Sequence, residues 1–180
     1  SGTSESIIRA IDWSASQNAR VINLSIAGPD DPFVRREVAA AYRKGIVIVA
    51  AAGNAGPSSP PLYPAAYPEA IAVTAVDSKN QLYQNANRGM HICIAARGVD
   101  VIVASAHGAY THGSGTSYAA ATVSGAIALI LQNRPRATPE DIRKALQDAA
   151  IALSAQRKSD EFGFGLVNVT AATVLVEGKP

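Results

Sequence analysis

A single cysteine, Cys93, leaves the chain with no disulfide of its own and no Cys/His cluster of the kind that holds zinc. It stands in an apolar run, residues 92–94, and reads as a buried thiol, so cysteine usage does not fix the compartment. Charge is also sparse. Only 17% of residues are Asp, Glu, Lys or Arg, the net charge is +2, and the cations are scattered, which argues against nucleic acid or a membrane surface as partner. No apolar run approaches the roughly 20 residues needed to span a bilayer. The longest candidate, residues 126–131, is short and flanked by polar groups. Internal repeats and domain linkers are absent too. What is present is a hydrophobic fraction of 48% over 180 residues, enough for one domain with a substantial core.

Two periodicities alternate along the chain. Ile8, Ile11 and Ala15 recur at helical spacing, so residues 4–18 are expected to be helical. Residues 21–26 are a short, largely β-branched run closed by Gly28-Pro29, a strand with a turn after it. Val34, Val38, Ala41 and Tyr42 mark a second helix, stopped by Gly45. Residues 46–52 are almost wholly apolar, as in a parallel strand covered on both faces. Residues 54–68, rich in Gly, Pro, Ser and Tyr, are expected to be a loop. Residues 71–76, 91–95 and 101–105 read as further strands. A helix dominated by small residues runs from about 116 to 132, and its Ala121, Gly125 and Ala128 are expected to face the sheet closely. Thr138-Pro139-Glu140-Asp141 is a strong helix start: a capping hydroxyl, proline at the first helical position and acids in the first turn. Residues 154–160 are polar and expected to be mobile, and residues 166–169 form a short apolar segment after Gly163-Phe164-Gly165.

Strands alternating with helices predict an α/β chain with a parallel sheet and helices on both faces. Ligands of such sheets sit beyond the carboxyl ends of the strands, which points to residues 25–28, to Gly53-Asn54 and to the loop feeding Thr116. Gly115-Thr116-Ser117 places a serine where a helix begins, among N–H groups that favour a developing negative charge; it is equally compatible with a capping serine. Asn54, after the apolar run that ends in Ala51-Ala52-Gly53, can donate N–H to a carbonyl oxygen that becomes negative during acyl transfer, or can make a local turn bond.

Taken in order, these segments resemble the subtilisin-like serine peptidases, the subtilases. Residues 115–125 are similar to that family's Gly-Thr-Ser segment and the small residues after it. Ala51-Ala52-Gly53-Asn54 resembles its Ala-Ala-Gly-Asn, residues 21–28 its Val-Ile-Asn-x-Ser-Leu-Gly-Gly, and residues 63–68 its Tyr-Pro-Ala-x-Tyr-Pro. Residues 163–168 continue the likeness, which covers nearly the whole chain. The resemblance implies a three-layer subtilisin-like α/β fold and a serine endopeptidase acting on polypeptide substrates. Ser117 would be the catalytic nucleophile. Asn54 and the Ser117 N–H would form the oxyanion hole. Ser25, Ile26 and Ala27 would line the cleft and pair with extended substrate, and Ala52 and Gly53 would wall a substrate pocket. The Tyr63–Pro64 bond would be cis, and the family's habit is secretion, to the exterior or the periplasm. Many members bind structural calcium. No cofactor or metal is expected here, because Cys93 stands where an acidic residue is common near a cation site formed in some relatives by the carbonyls of Ala65, Tyr67 and Ala70.

The sequence departs from the family pattern in one major respect. The Asp-Ser/Thr-Gly and His-Gly-Thr segments, which precede this region in subtilases, do not occur in the 180 residues. His107 and His112 lie just before Ser117 and are not expected to serve as general base, and His91 stands further off. The expectation is that residues 1–180 are the C-terminal part of one peptidase domain, lacking its N-terminal strands and inactive alone. It would associate with itself or need the missing part. Ala121 replaces the usual proline, and Arg97 the proline of Ala-Pro-Gly. The alternative these departures raise is an inactive module that binds extended peptides or a partner protein. A hydrolase of another α/β type lacks its Gly-x-Ser-x-Gly elbow here.

Overall fold

The computed structural model describes residues 2–106 and 108–177. Four strands, β1 (Val21–Leu24), β2 (Val47–Ala51), β3 (Ala70–Val76) and β4 (Ile92–Arg97), form one parallel sheet in chain order β1-β2-β3-β4. Every residue of β2 and β3 is buried, as their unbroken apolar text requires of strands covered on both faces. A separate antiparallel hairpin, β5 (Val101–Ala104) with β6 (Tyr110–Gly113), leads into the main helix.

Helices α1 (Ser4–Ser16) and α2 (Pro32–Arg43) cover one face, packing Ile11, Val34, Val38 and Ala41 on Ile22, Ile48, Ala50 and Ala72. Helices α3 (Thr116–Asn133), α4 (Pro139–Ala149) and α5 (Val169–Glu177) cover the other. There Ala119, Ala120, Val123 and Ile127 of α3 meet Val47, Val49, Ile71 and Val73. The result is three layers, helix–sheet–helix, the α/β arrangement that the resemblance implied. Helix starts follow the expected chemistry. Thr138 and Asp141 form a reciprocal capping box on α4, and Asp31 caps α2 by accepting from Phe33 and Val34 N–H. Gly45 follows the end of α2 with φ +85, a conformation glycine adopts without steric cost.

Several expectations are corrected. Ala121, Gly125 and Ala128 do not face the sheet. All three are exposed, and nothing lies within 4 Å of a Cβ built on Gly125. They form a stripe of small residues on the outer side of α3, together with Leu129, which is 54% exposed. Strand β1 ends at Leu24 rather than at residue 26, and residues 110–113 and 169–177 are a strand and a helix that the sequence text did not signal. Residues 154–160, expected to be mobile, are tied down: Arg157 pairs with Asp148, and Lys158 Nζ donates to Met90 O at 2.7 Å. The Tyr63–Pro64 bond is cis, as the resemblance implied.

Strand β1 is one of the sheet's two edges; the other, β4, is bridged at Ala95 by Leu166. On β1, Asn23 is exposed and its Oδ1 meets Ser124 Oγ of α3.

Candidate active site

All four strands run the same way, so their carboxyl ends meet one edge of the sheet, and α3 begins there. Two segments converge at that edge: residues 52–54, continuing β2, and Gly115-Thr116-Ser117, opening α3. Thr116 is fully buried and joins them. Its hydroxyl accepts from Gly53 N–H (3.1 Å) and donates to Asn54 Oδ1 (2.9 Å), while its backbone N–H donates to the same Oδ1 (3.0 Å). With its oxygen so occupied, the Asn54 amide turns its Nδ2 donor side away from Thr116. A Cβ on Gly115 would come 3.2 Å from that Nδ2, so the absence of a side chain there leaves the amide its room.

Ser117 is the second residue of α3, in the first turn, where backbone N–H groups have no intrahelical acceptor and the helix presents positive potential. It is half-buried, whereas Asn54 is exposed. Gly115 N–H donates to Gly98 O (2.7 Å), which fixes the approach of the chain to the helix.

The end of β1 reaches the same place. Ser25 Oγ donates to Ser117 O (3.2 Å) and accepts from Asn23 Nδ2 (2.9 Å); Asn23 Oδ1 in turn lies 3.2 Å from Ser124 Oγ. Ser25, Ile26 and Ala27 are exposed and continue beyond the last sheet pairing. Ile26 and Ala27 line a cavity of about 390 Å³ with Ile7, Val34, Tyr63 and Tyr67. Gly28 and Tyr63 exchange both backbone bonds at 2.9 Å across its wall. Burial raises the Tyr67 hydroxyl above its ordinary value, so it stays protonated and donates to Asp30 (3.1 Å). Ala52 and Gly53 are buried, and Gly53 has φ +107.

The structure thus brings Ser117, Asn54, Ser25 and Gly53 together around Thr116, with Ala52 behind them and Ile26 and Ala27 leading to the cavity. The two described histidines are elsewhere. His112, on β6, pairs with Asp100 (2.8 Å), both exposed. His91 precedes β4, at the opposite, amino-terminal edge of the sheet. His107 lies outside the described residues. Among the described residues no histidine is hydrogen-bonded to Ser117, and no three His, Cys, Asp or Glu side chains come together to hold a metal ion.

Sequence reasoning missed Thr116 and Asn23 as the residues that join these segments. Each had a local signal, one beside Ser117 and the other a polar break in an apolar strand.

The comparisons agree with this architecture. Subtilisin amylosacchariticus of Bacillus subtilis subsp. amylosacchariticus is 40% identical over 176 residues, 96% of this chain but 45% of that protein. Subtilisin of Bacillus pumilus is also 40% identical, with 63% of its length covered. The chain therefore spans about half the length of curated relatives it matches. Among solved structures, the prenylagaramide maturation protease PagA superposes with a TM-score of 0.89 at 25% identity, covering all of this chain and 70% of that one. The self-cleaved protease domain of PatA gives 0.87 at 29%, over 98% and 69%. The Subtilase family profile matches residues 1–165. By that match, and by identity sustained across almost its whole length, the chain belongs to the subtilase family of serine proteases, peptidase family S8.

Proposed function

We propose that this chain is the serine-bearing, C-terminal part of a single subtilisin-type endopeptidase domain. The observation that carries the reading is the junction at Thr116, which holds an asparagine amide beside the first turn of the helix that bears Ser117. In this mechanism a general base takes the Ser117 Oγ proton as that oxygen attacks a peptide carbonyl. The carbonyl oxygen becomes negative and receives N–H from Asn54 Nδ2 and the Ser117 backbone. The tetrahedral intermediate collapses, the C–N bond breaks, and the base returns its proton to the leaving amine. Water, activated by the same base, then hydrolyses the acyl-serine and restores Ser117. Extended substrate pairs with the backbone of Ser25, Ile26 and Ala27, one of its apolar side chains enters the adjoining cavity, and Ala52 and Gly53 wall the pocket before the scissile bond.

The base and its carboxylate partner come from polypeptide outside these 180 residues, seated along the free edge of β1. The exposed edge, the outward stripe of α3 and the half-length coverage of the relatives support this. A second reading, an inactive module that binds extended peptide, is favoured by the pairing of His112 with Asp100 rather than with Ser117.

Fluorophosphonate labelling of the native-length gene product, mapped by mass spectrometry with a Ser117→Ala control, separates the two. Adduct at Ser117 that the control abolishes supports the peptidase; folded protein that stays unlabelled supports the binding module.

A further inference from the structure

Asn87, in the loop between β3 and β4, is wholly buried. Its Oδ1 accepts from Ala55 N–H at 2.8 Å. Its Nδ2 donates to Ser59 Oγ at 3.2 Å and approaches Pro60 O at 3.5 Å. Its own backbone N–H donates to Gly53 O at 3.1 Å. Asn87 therefore holds the residues on both sides of Asn54. The neighbouring Asn85 extends the clamp, its carbonyl accepting from Gly56 N–H at 2.8 Å.

A buried amide is costly unless both its ends are satisfied, and an apolar residue of similar size fills space without that risk. Here both ends are satisfied, and every partner lies in residues 53–60. That segment has no regular pairing after β2 ends and carries exposed positions at Asn54 and Ala55. Left to itself it would move as exposed loops do. The fit is close: a Cβ on Gly53 would come 3.1 Å from Asn87 Cγ. Asn54 is thus pinned twice, its side chain by Thr116 from α3 and its backbone by Asn87 from the β3–β4 loop.

We infer that Asn87 is a positioning residue for the acyl-transfer site, fixing the backbone of residues 53–55 so that Asn54 Nδ2 is aimed at the oxygen that gains charge. The inference rests on the peptidase reading above. A donor displaced by about 1 Å costs up to roughly a hundredfold in rate. Because Asn87 acts through Asn54, its loss lowers kcat about ten- to a hundredfold with KM little changed, and nothing further is lost once Asn54 is removed.

Two measurements test this. In the native-length gene product, hydrogen exchange of the Ala55 amide is followed by NMR. Asn87→Ala should speed it at least tenfold relative to amides of β4, and Ser59→Ala, a milder change should Asn87→Ala not fold, should speed it to a lesser degree. Unchanged exchange in the folded variants overturns the clamp. In the protein form that labels at Ser117, a double-mutant cycle compares Asn54→Ala, Asn87→Ala and the pair. The double variant should be no slower than Asn54→Ala alone, whereas additive losses show that Asn87 does not act through Asn54. If no form labels at Ser117, the peptidase reading fails and takes the catalytic consequence with it, while the exchange measurement still decides the clamp.

Discussion

Asn54 Oδ1 accepts two hydrogen bonds from one residue, the N–H and the hydroxyl of Thr116, at 3.0 and 2.9 Å, across 62 positions of sequence. A single oxygen so fixes the orientation of an exposed amide against a buried helix start. Thr116→Val keeps the shape and removes the hydroxyl. It leaves Gly53 N–H without its acceptor in a buried place, which costs about 1–3 kcal/mol. Urea denaturation should show the unfolding free energy falling by that amount, through a lower midpoint with the slope unchanged, and on the peptidase reading Ser117 labelling should slow in parallel.

Gly163 has φ +58, and a Cβ there would sit on the backbone carbonyl of Cys93. Neither group can yield, because Phe164 N–H donates to that same carbonyl at 2.9 Å. Gly163→Ala is expected to destabilise the chain by more than about 2 kcal/mol, read as a lowered melting temperature. Gly125→Ala, with open space around it and no unusual φ, should be neutral or stabilising.

Acid should weaken the region around His91. Burial lowers its pKa from the ordinary 6.5; Asp160 opposes the shift and Lys158 adds to it. The unfolded chain therefore binds more protons than the folded one between the two values. His91 contributes stability that is full above pH 6.5 and is lost as pH falls through the folded value. Denaturation midpoints measured from pH 7.5 down to 5 should decline in the native sequence and decline less in His91→Gln.

The free edge of β1 and the outward stripe of α3 predict association of the 180-residue chain with rising concentration. Light scattering coupled to size exclusion should show a mass that grows with loading. Leu129→Lys, at an exposed position of the stripe, should raise the concentration needed by about tenfold without lowering the melting temperature. A native chain that stays monomeric at high concentration contradicts the prediction.

The elements read well where the text had one phase. β2 and β3 are apolar at every position and could only be covered strands, and the Thr138 start carried its own capping chemistry. Helix α3 was found but turned the wrong way. Apolar or small residues occupy nearly its whole circumference, so periodicity gives its existence and not its phase. Helix α5 was missed because its Val and Thr residues favour a strand locally, and packing on α3 and α4 overrides them. Strand β6 was missed because its strand-favouring Tyr110 and Thr111 are followed at once by His112 and Gly113, too short a run to signal a strand before β5 pairs with it. For the site, Ser117, Asn54 and Ser25 were legible from motifs that are contiguous in sequence. The bonds that connect them were not, since each joins residues tens of positions apart.

Helix α3 packs against all four strands of the main sheet, although it follows every one of them in sequence. On a ribosome adding about 5–20 residues per second, the 62 residues from Asn54 to Thr116 take roughly 3–12 s. Through that interval the face formed by Val47, Val49, Ile71 and Val73 has no cover from α3. Docking of one late segment then buries the face and joins Asn54 to Thr116 in the same event. In the nascent chain the Asn54–Thr116 junction is thus made only after all four strands of the sheet have been synthesised, in the same event that shuts that side of the core.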